Sequence, residues 1–170
     1  MKPPSRNGSP DDFQTPPEAL QPLLPYIDTG WVVWECASGE CLLSCELMRL
    51  GYEVVSSDTL YSPNQDFLSW QPDKWDCIVT NPPFSLKQQF LERSYSLGKP
   101  FALLLPLTTF ETGKRQRLFR NNGVEVIFFD RRINFVTPNK VNKSSAWFAT
   151  AWFTWGLGIG QPLTFVELPR

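Results

Sequence analysis

The sequence predicts an α/β fold, a mostly parallel sheet covered by helices on both faces. Two observations carry this. Short, nearly unbroken apolar runs recur at 31–36 (WVVWEC), 75–80 (WDCIVT), 101–106 (FALLLP) and 124–129 (VEVIFF), as strands buried on both faces require. Stretches of helical length separate them, which is the rhythm of βαβ units. The chain of 170 residues is long enough for one sizeable core. It shows no internal repeat and no linker long enough to divide it.

Taken in order, residues 1–10 are rich in Pro, Ser and Gly and read as a disordered tail, leaving 11–170 as a single domain. Thr15-Pro16-Pro17-Glu18 reads as a helix start: Thr caps, Pro fits the first turn, and Glu sits three residues on. Pro22 and Pro25 keep that helix short. A strand at 31–36 leads through the turn Ala37-Ser38-Gly39 into a helix from about Glu40 to Leu50, ended by Gly51. Residues 53–57 give a second strand, and the weaker segment 66–70 (DFLSW) a short third. The strand at 75–80 is followed by a helix over 86–97 that Gly98 stops. A strand at 101–106, a basic helix around 112–121 and a strand at 124–129 come next. Residues 145–155 alternate strongly and read as a strand, and 163–168 adds one more.

Composition narrows the chemistry. There is no histidine, so the commonest general base and metal ligand is missing. Cys36, Cys41, Cys45 and Cys77 have neither a C-x-x-C nor a zinc spacing. They read as small buried residues of a reducing cytoplasm, and no metal is expected. No apolar run is long enough to cross a bilayer, and the N-terminus has no apolar signal core. Net charge is −1, but Lys114, Arg115, Arg117, Arg120, Arg131, Arg132, Lys140 and Lys143 face only Glu125 and Asp130 in the same stretch. That local excess of +6 suits a phosphate backbone, although such runs also serve as plain solvated faces.

The residues at strand ends point to a site. In open α/β sheets ligands bind outside the carboxyl ends of the strands. Glu35 ends the first strand, and the small-residue turn Ala37-Ser38-Gly39 lets a ligand approach the backbone. The G-x-G-x-x-G dinucleotide pattern is absent. Asp58 follows the second strand, where such folds set a carboxylate on a ribose diol. Asp66 and Phe67 are suited to bracket a planar ring. Asn81-Pro82-Pro83-Phe84 ends the strand at 75–80. Two prolines cannot extend a ladder, so the chain leaves the sheet there. The Asn81 amide oxygen and the Pro82 carbonyl are suited to accept hydrogen bonds from one exocyclic amino group, leaving its lone pair directed away from its ring. Phe84 offers a flat face. No charged base is needed.

An acid and small-residue turn after strand one, an acid after strand two, and N-P-P-F at a later strand end together resemble the class I S-adenosylmethionine-dependent methyltransferases. The N-P-P-F element is similar to the amino-methylating branch: adenine-N6 methyltransferases of DNA, some RNA adenine enzymes, and glutamine-N5 enzymes. The segment DDFQTPPEAL and the closing SSAWFATAWFTW resemble the small phage and bacterial DNA adenine-N6 enzymes, and the resemblance spans about 11–156. It implies a Rossmann-like, seven-stranded, mostly parallel sheet with one antiparallel strand. It also implies that S-adenosylmethionine is held by Phe13, Gln14 and Thr15 at its methionine end, by Glu35, Ala37, Ser38 and Gly39, by Asp58 at the ribose, and by Asp66 and Phe67 at adenine. Asn81, Pro82, Pro83 and Phe84 would receive the target base, with DNA, or RNA, as partner. Cys41 stands where the family turn usually has a second glycine, which puts cofactor affinity in question. No separate target-recognition domain is visible.

The reading implied is therefore methyl transfer to the adenine N6 amino group in DNA. Methylation of RNA adenine or protein glutamine, and a catalytically silent fold that binds nucleic acid, are the alternatives.

Overall fold

A computed structural model describes residues 13–136 and 148–169. Seven strands and three α-helices occur among them: β1 (Val32–Glu35), α1 (Leu42–Arg49), β2 (Glu53–Ser56), β3 (Cys77–Thr80), α2 (Lys87–Leu97), β4 (Phe101–Pro106), α3 (Gly113–Asn122), β5 (Glu125–Phe129), β6 (Thr150–Trp155) and β7 (Leu163–Val166). The strands form one seven-stranded sheet in the order β2-β1-β3-β4-β6-β5-β7. Strand β6 runs antiparallel to both its neighbours, β4 and β5, and every other pairing is parallel. The expected single reversed strand is thus present. Residues 145–147 of that expected strand lie outside the described residues.

Alternation along the strands divides the core into two layers. Val33, Val79, Ala102, Leu104, Ile127 and Trp152 meet Leu20, Leu23, Leu43 and Leu47 on one side. Trp34, Ile78, Leu103, Leu105, Ala151 and Phe153 meet Phe67, Phe90, Leu91 and Phe119 on the other. Each large apolar side chain among them contributes about 1.5–3 kcal/mol on leaving water, which is why β1, β3 and β4 read as nearly unbroken apolar runs. Trp152 fills a large volume and still satisfies its indole, which donates to the Ala19 carbonyl at 2.7 Å.

Three expectations are corrected. The segment after Thr15 is a 3₁₀ helix, Pro17–Tyr26, capped by Pro16 without a side-chain bond. Four prolines (16, 17, 22 and 25) remove the amide hydrogens that an α-helix and a Thr cap both need. Residues 66–70 are not a strand. Amides of Ser69 and Trp70 donate to the Asp66 carbonyl, and the Asp66 carboxylate accepts from Leu68 N at 2.9 Å, so the segment folds back as turns. The sheet reaches seven strands without it, through β7, the strand expected at 163–168, at the opposite edge beside β5. Finally, α1 begins at Leu42, with Cys41 as its cap in the left-handed region (φ 62°, ψ 20°).

Candidate active site

The carboxyl ends of β1, β2 and β3 lie side by side, and the chain segments that leave them open a cleft of about 410 Å³. That volume falls in the range of small-molecule sites. Glu35, Ala37, Ser38, Gly39, Asp58, Asn81 and Pro83 line it, together with Phe13, Gln14 and Thr15.

The turn after β1 is held from two sides. Ser38 N donates to the Ser57 carbonyl at 3.1 Å, and Ser57 N to the Glu35 carbonyl at 2.9 Å. Gly39 N donates to Asp58 Oδ2 at 2.8 Å. Gly39 has φ +49°, and a Cβ there would stand 2.5 Å from Gln14 Nε2. The turn therefore needs glycine both for its backbone angle and for the close approach of Gln14. The Gln14 side-chain oxygen in turn accepts from Glu40 N at 3.1 Å. Asp58 accepts from Leu60 N at 2.8 Å through its other oxygen. It thus fastens the turn and the start of its own loop, while it also lines the cleft.

Glu35 is buried and receives the Thr80 hydroxyl at 2.5 Å and Ala37 N at 3.3 Å. Burial, outweighing those two hydrogen bonds, pushes its carboxyl up from 4.5 to about 7. No salt bridge reaches it among the described residues. A buried acid of this kind, lining a cleft, is suited to a cationic group.

Asn81 follows β3. Its amide nitrogen donates to the Phe13 carbonyl at 2.6 Å. Its oxygen is buried and has no partner, as has the hydroxyl of Thr15. Both residues line the cleft, and an orphaned buried acceptor is costly unless a ligand satisfies it.

Several expected site residues stand elsewhere. Phe67 is 1% exposed and stacks on Phe90 at 4.5 Å. It is a core residue, and neither it nor Asp66 is among the cleft-lining side chains. Phe84 is not an open platform: Phe13 lies parallel to it at 5.7 Å, and Phe135 and Phe148 present edges at 6.3 and 5.5 Å. Pro82 is buried, whereas Pro83 lines the cleft. Of the basic stretch, Arg115 is buried and donates to the Thr109 and Thr108 carbonyls, so it is a structural residue. Lys114 pairs with Glu92 at 2.8 Å, and Arg131 binds Asp130 and the Leu168 carbonyl. Arg117, Arg120 and Arg132 are exposed. Lys140 and Lys143 lie outside the described residues.

Sequence reasoning missed Thr80, Phe135 and Phe148. A threonine inside the buried run CIVT was a visible signal, since a buried hydroxyl needs a partner. The two phenylalanines carried none, being distant in sequence from the ring of Phe13 that they touch.

No protein-family model and no curated protein sequence matches the chain. Among the solved structures similar to it are two methyltransferases. One is a dimethyladenosine transferase from Plasmodium falciparum, with TM-score 0.47 and 13% identity, covering 84% of this chain and 62% of that one. The other is a predicted O-methyltransferase from Agrobacterium tumefaciens, with TM-score 0.36 and 12% identity, covering 80% and 65%. The chain spans less than two thirds of either neighbour. The sheet, with its one reversed strand and its cleft at the carboxyl ends of the parallel strands, is a Rossmann-like fold with the seven-stranded, mostly parallel arrangement that the resemblance to class I methyltransferases implies.

Proposed function

We propose that the chain transfers a methyl group from S-adenosylmethionine to the N6 amino group of adenine in DNA. The observation that carries the reading is the buried, unpartnered Asn81 oxygen at the end of β3, in the same cleft as Glu35 and Asp58. The cleft fits the cofactor in kind. It offers a buried acid without a cation, a small-residue turn, a carboxylate placed for hydroxyls, and the orphaned Thr15 hydroxyl. Glu35, the 37–39 turn, Asp58 and Thr15 would hold it. When bound, it supplies an electrophilic methyl group that needs no metal or general base for activation.

The protein's own work is then orientation and charge. The Asn81 oxygen accepts an N–H of the target amino group. That accepted bond favours a pyramidal, partly positive nitrogen over the flat ground-state amine. Holding that nitrogen in line with the methyl group removes most of the remaining entropic barrier. A duplex hides the amino group, so the base must leave the stack, and the exposed Arg117, Arg120 and Arg132 supply charge for the phosphate backbone.

The test is methylation of duplex DNA, RNA and protein with labelled cofactor, followed by nucleoside and amino-acid analysis. N6-methyladenine from DNA is expected. Label found only in RNA or in glutamine would overturn the substrate, and no cofactor binding by titration would overturn the enzyme.

A further inference from the structure

An amide has two ends, and only one of them accepts. What decides which end of Asn81 meets a substrate is not within the N-P-P-F segment. It is Phe13, 68 residues earlier, whose carbonyl lies 2.6 Å from Asn81 Nδ2. A main-chain carbonyl carries no proton. Turned the other way, the amide would set two oxygens against each other at that distance, so the nitrogen must face Phe13 and the oxygen must face away from it.

The Phe13 carbonyl is itself held. On its C-terminal side, Gln14 exchanges two backbone bonds with Val136, at 3.0 and 2.9 Å. On its side-chain side, the ring is enclosed by three others: Phe84 parallel at 5.7 Å, Phe135 at 5.5 Å and Phe148 at 5.5 Å. Phe135 and Phe148 also stack on each other at 6.2 Å. Four rings from four separate parts of the chain thus converge on the residue that orients one amide. We infer that Phe13 is a positioning residue: the four-ring cluster fixes its carbonyl, and that carbonyl locks Asn81 with its oxygen presented to an N–H-bearing substrate. Phe84 then acts through Phe13 rather than as a free stacking surface. This inference rests on the proposed amino-methylation for its consequence, but not for its geometry.

The full chain tests it with two readouts. The first is solvent exchange of the Asn81 side-chain amide protons, identified by the cross-peaks that disappear in Asn81→Ala. One proton should be protected in the wild type, and exchange should speed by about tenfold or more in Phe13→Ala, as for a lost hydrogen bond. Phe13→Tyr, which keeps the ring, should restore protection. The second is single-turnover methylation of an adenine duplex at saturating cofactor, which should fall about tenfold or more in Phe13→Ala. Should Phe13→Ala fail to fold, Phe135→Ala removes one wall of the cluster and carries the same comparison. Unchanged protection in both variants would overturn the inference. If protection is lost as expected while the wild type methylates no adenine, the orienting contact stands and the substrate assignment falls.

Discussion

Cys41 is held at φ 62° and ψ 20°, a left-handed conformation that costs a residue with a Cβ about 1–2 kcal/mol. Glycine there would lose that strain but give back part of it through the greater freedom of the unfolded chain. Cys41→Gly should therefore stabilise the protein by about 0.5–1 kcal/mol, read as a raised urea midpoint. The thiol is not among the cleft-lining groups and turns toward the Gly39 carbonyl at 3.8 Å, so cofactor affinity should stay within about twofold. A large gain in affinity without a gain in stability would mean that the sulfur crowds the cleft after all. Asn81→Ala makes the opposite pairing. It removes one preorganised acceptor and should cost about 10²–10³ in single-turnover rate, with cofactor titration nearly unchanged. A wild-type rate would reduce N-P-P-F to a structural turn.

The basic helix α3 shows how an element divides its charges. Arg115 is turned inward, its guanidinium closing the 3₁₀ turn Leu107–Glu111 through the Thr108 and Thr109 carbonyls. Arg117 and Arg120 are exposed. Arg115→Met should destabilise by about 1–3 kcal/mol, since it leaves the buried Thr109 carbonyl without its donor, and urea denaturation reads that directly. Arg117→Gln with Arg120→Gln should leave stability within about 0.5 kcal/mol. The same pair should flatten the salt dependence of DNA binding by roughly one for each phosphate no longer neutralised. An unchanged salt slope would make those two arginines a plain solvated face. Charge counting along the sequence could not separate these roles, because it records no direction. The same limit explains segment 66–70. Phe67 and Trp70 pack at 5.3 and 6.0 Å from Trp34, as a plug against the sheet, and an apolar plug in a loop shows the same letters as a short strand. Elements fixed by periodicity and by Gly or Pro stops, such as α2 with Gly98 at its left-handed cap, were legible to within a residue or two.

At the scale of the whole molecule, the strand ends that sequence pattern identified do converge, and Glu35, the 37–39 turn, Asp58 and Asn81 share one cleft. What pattern could not convey was the burial around Glu35, which needs β1, β2 and β3 all in place. That burial makes global stability depend on pH. The folded carboxyl holds its proton until about pH 7, whereas the unfolded chain releases it near 4.5. Below 4.5 both states are protonated and Glu35 contributes no difference. As pH rises from 4.5 to 7 the unfolded state gains by ionising first, so stability falls, and above 7 it stays at the lower level. The loss corresponds to at most about 3 kcal/mol. Glu46 beside Arg49 and Glu92 beside Lys114 have carboxyls pulled below the usual value. Their stabilisation is lost only as pH falls through more acidic values, outside this window. Chemical denaturation should accordingly find the wild type less stable at pH 8 than at pH 5, and Glu35→Gln should remove most of that loss by abolishing the ionisation. An equal loss in the variant would place its source elsewhere and leave Glu35 an ordinary ionised acid at the cleft.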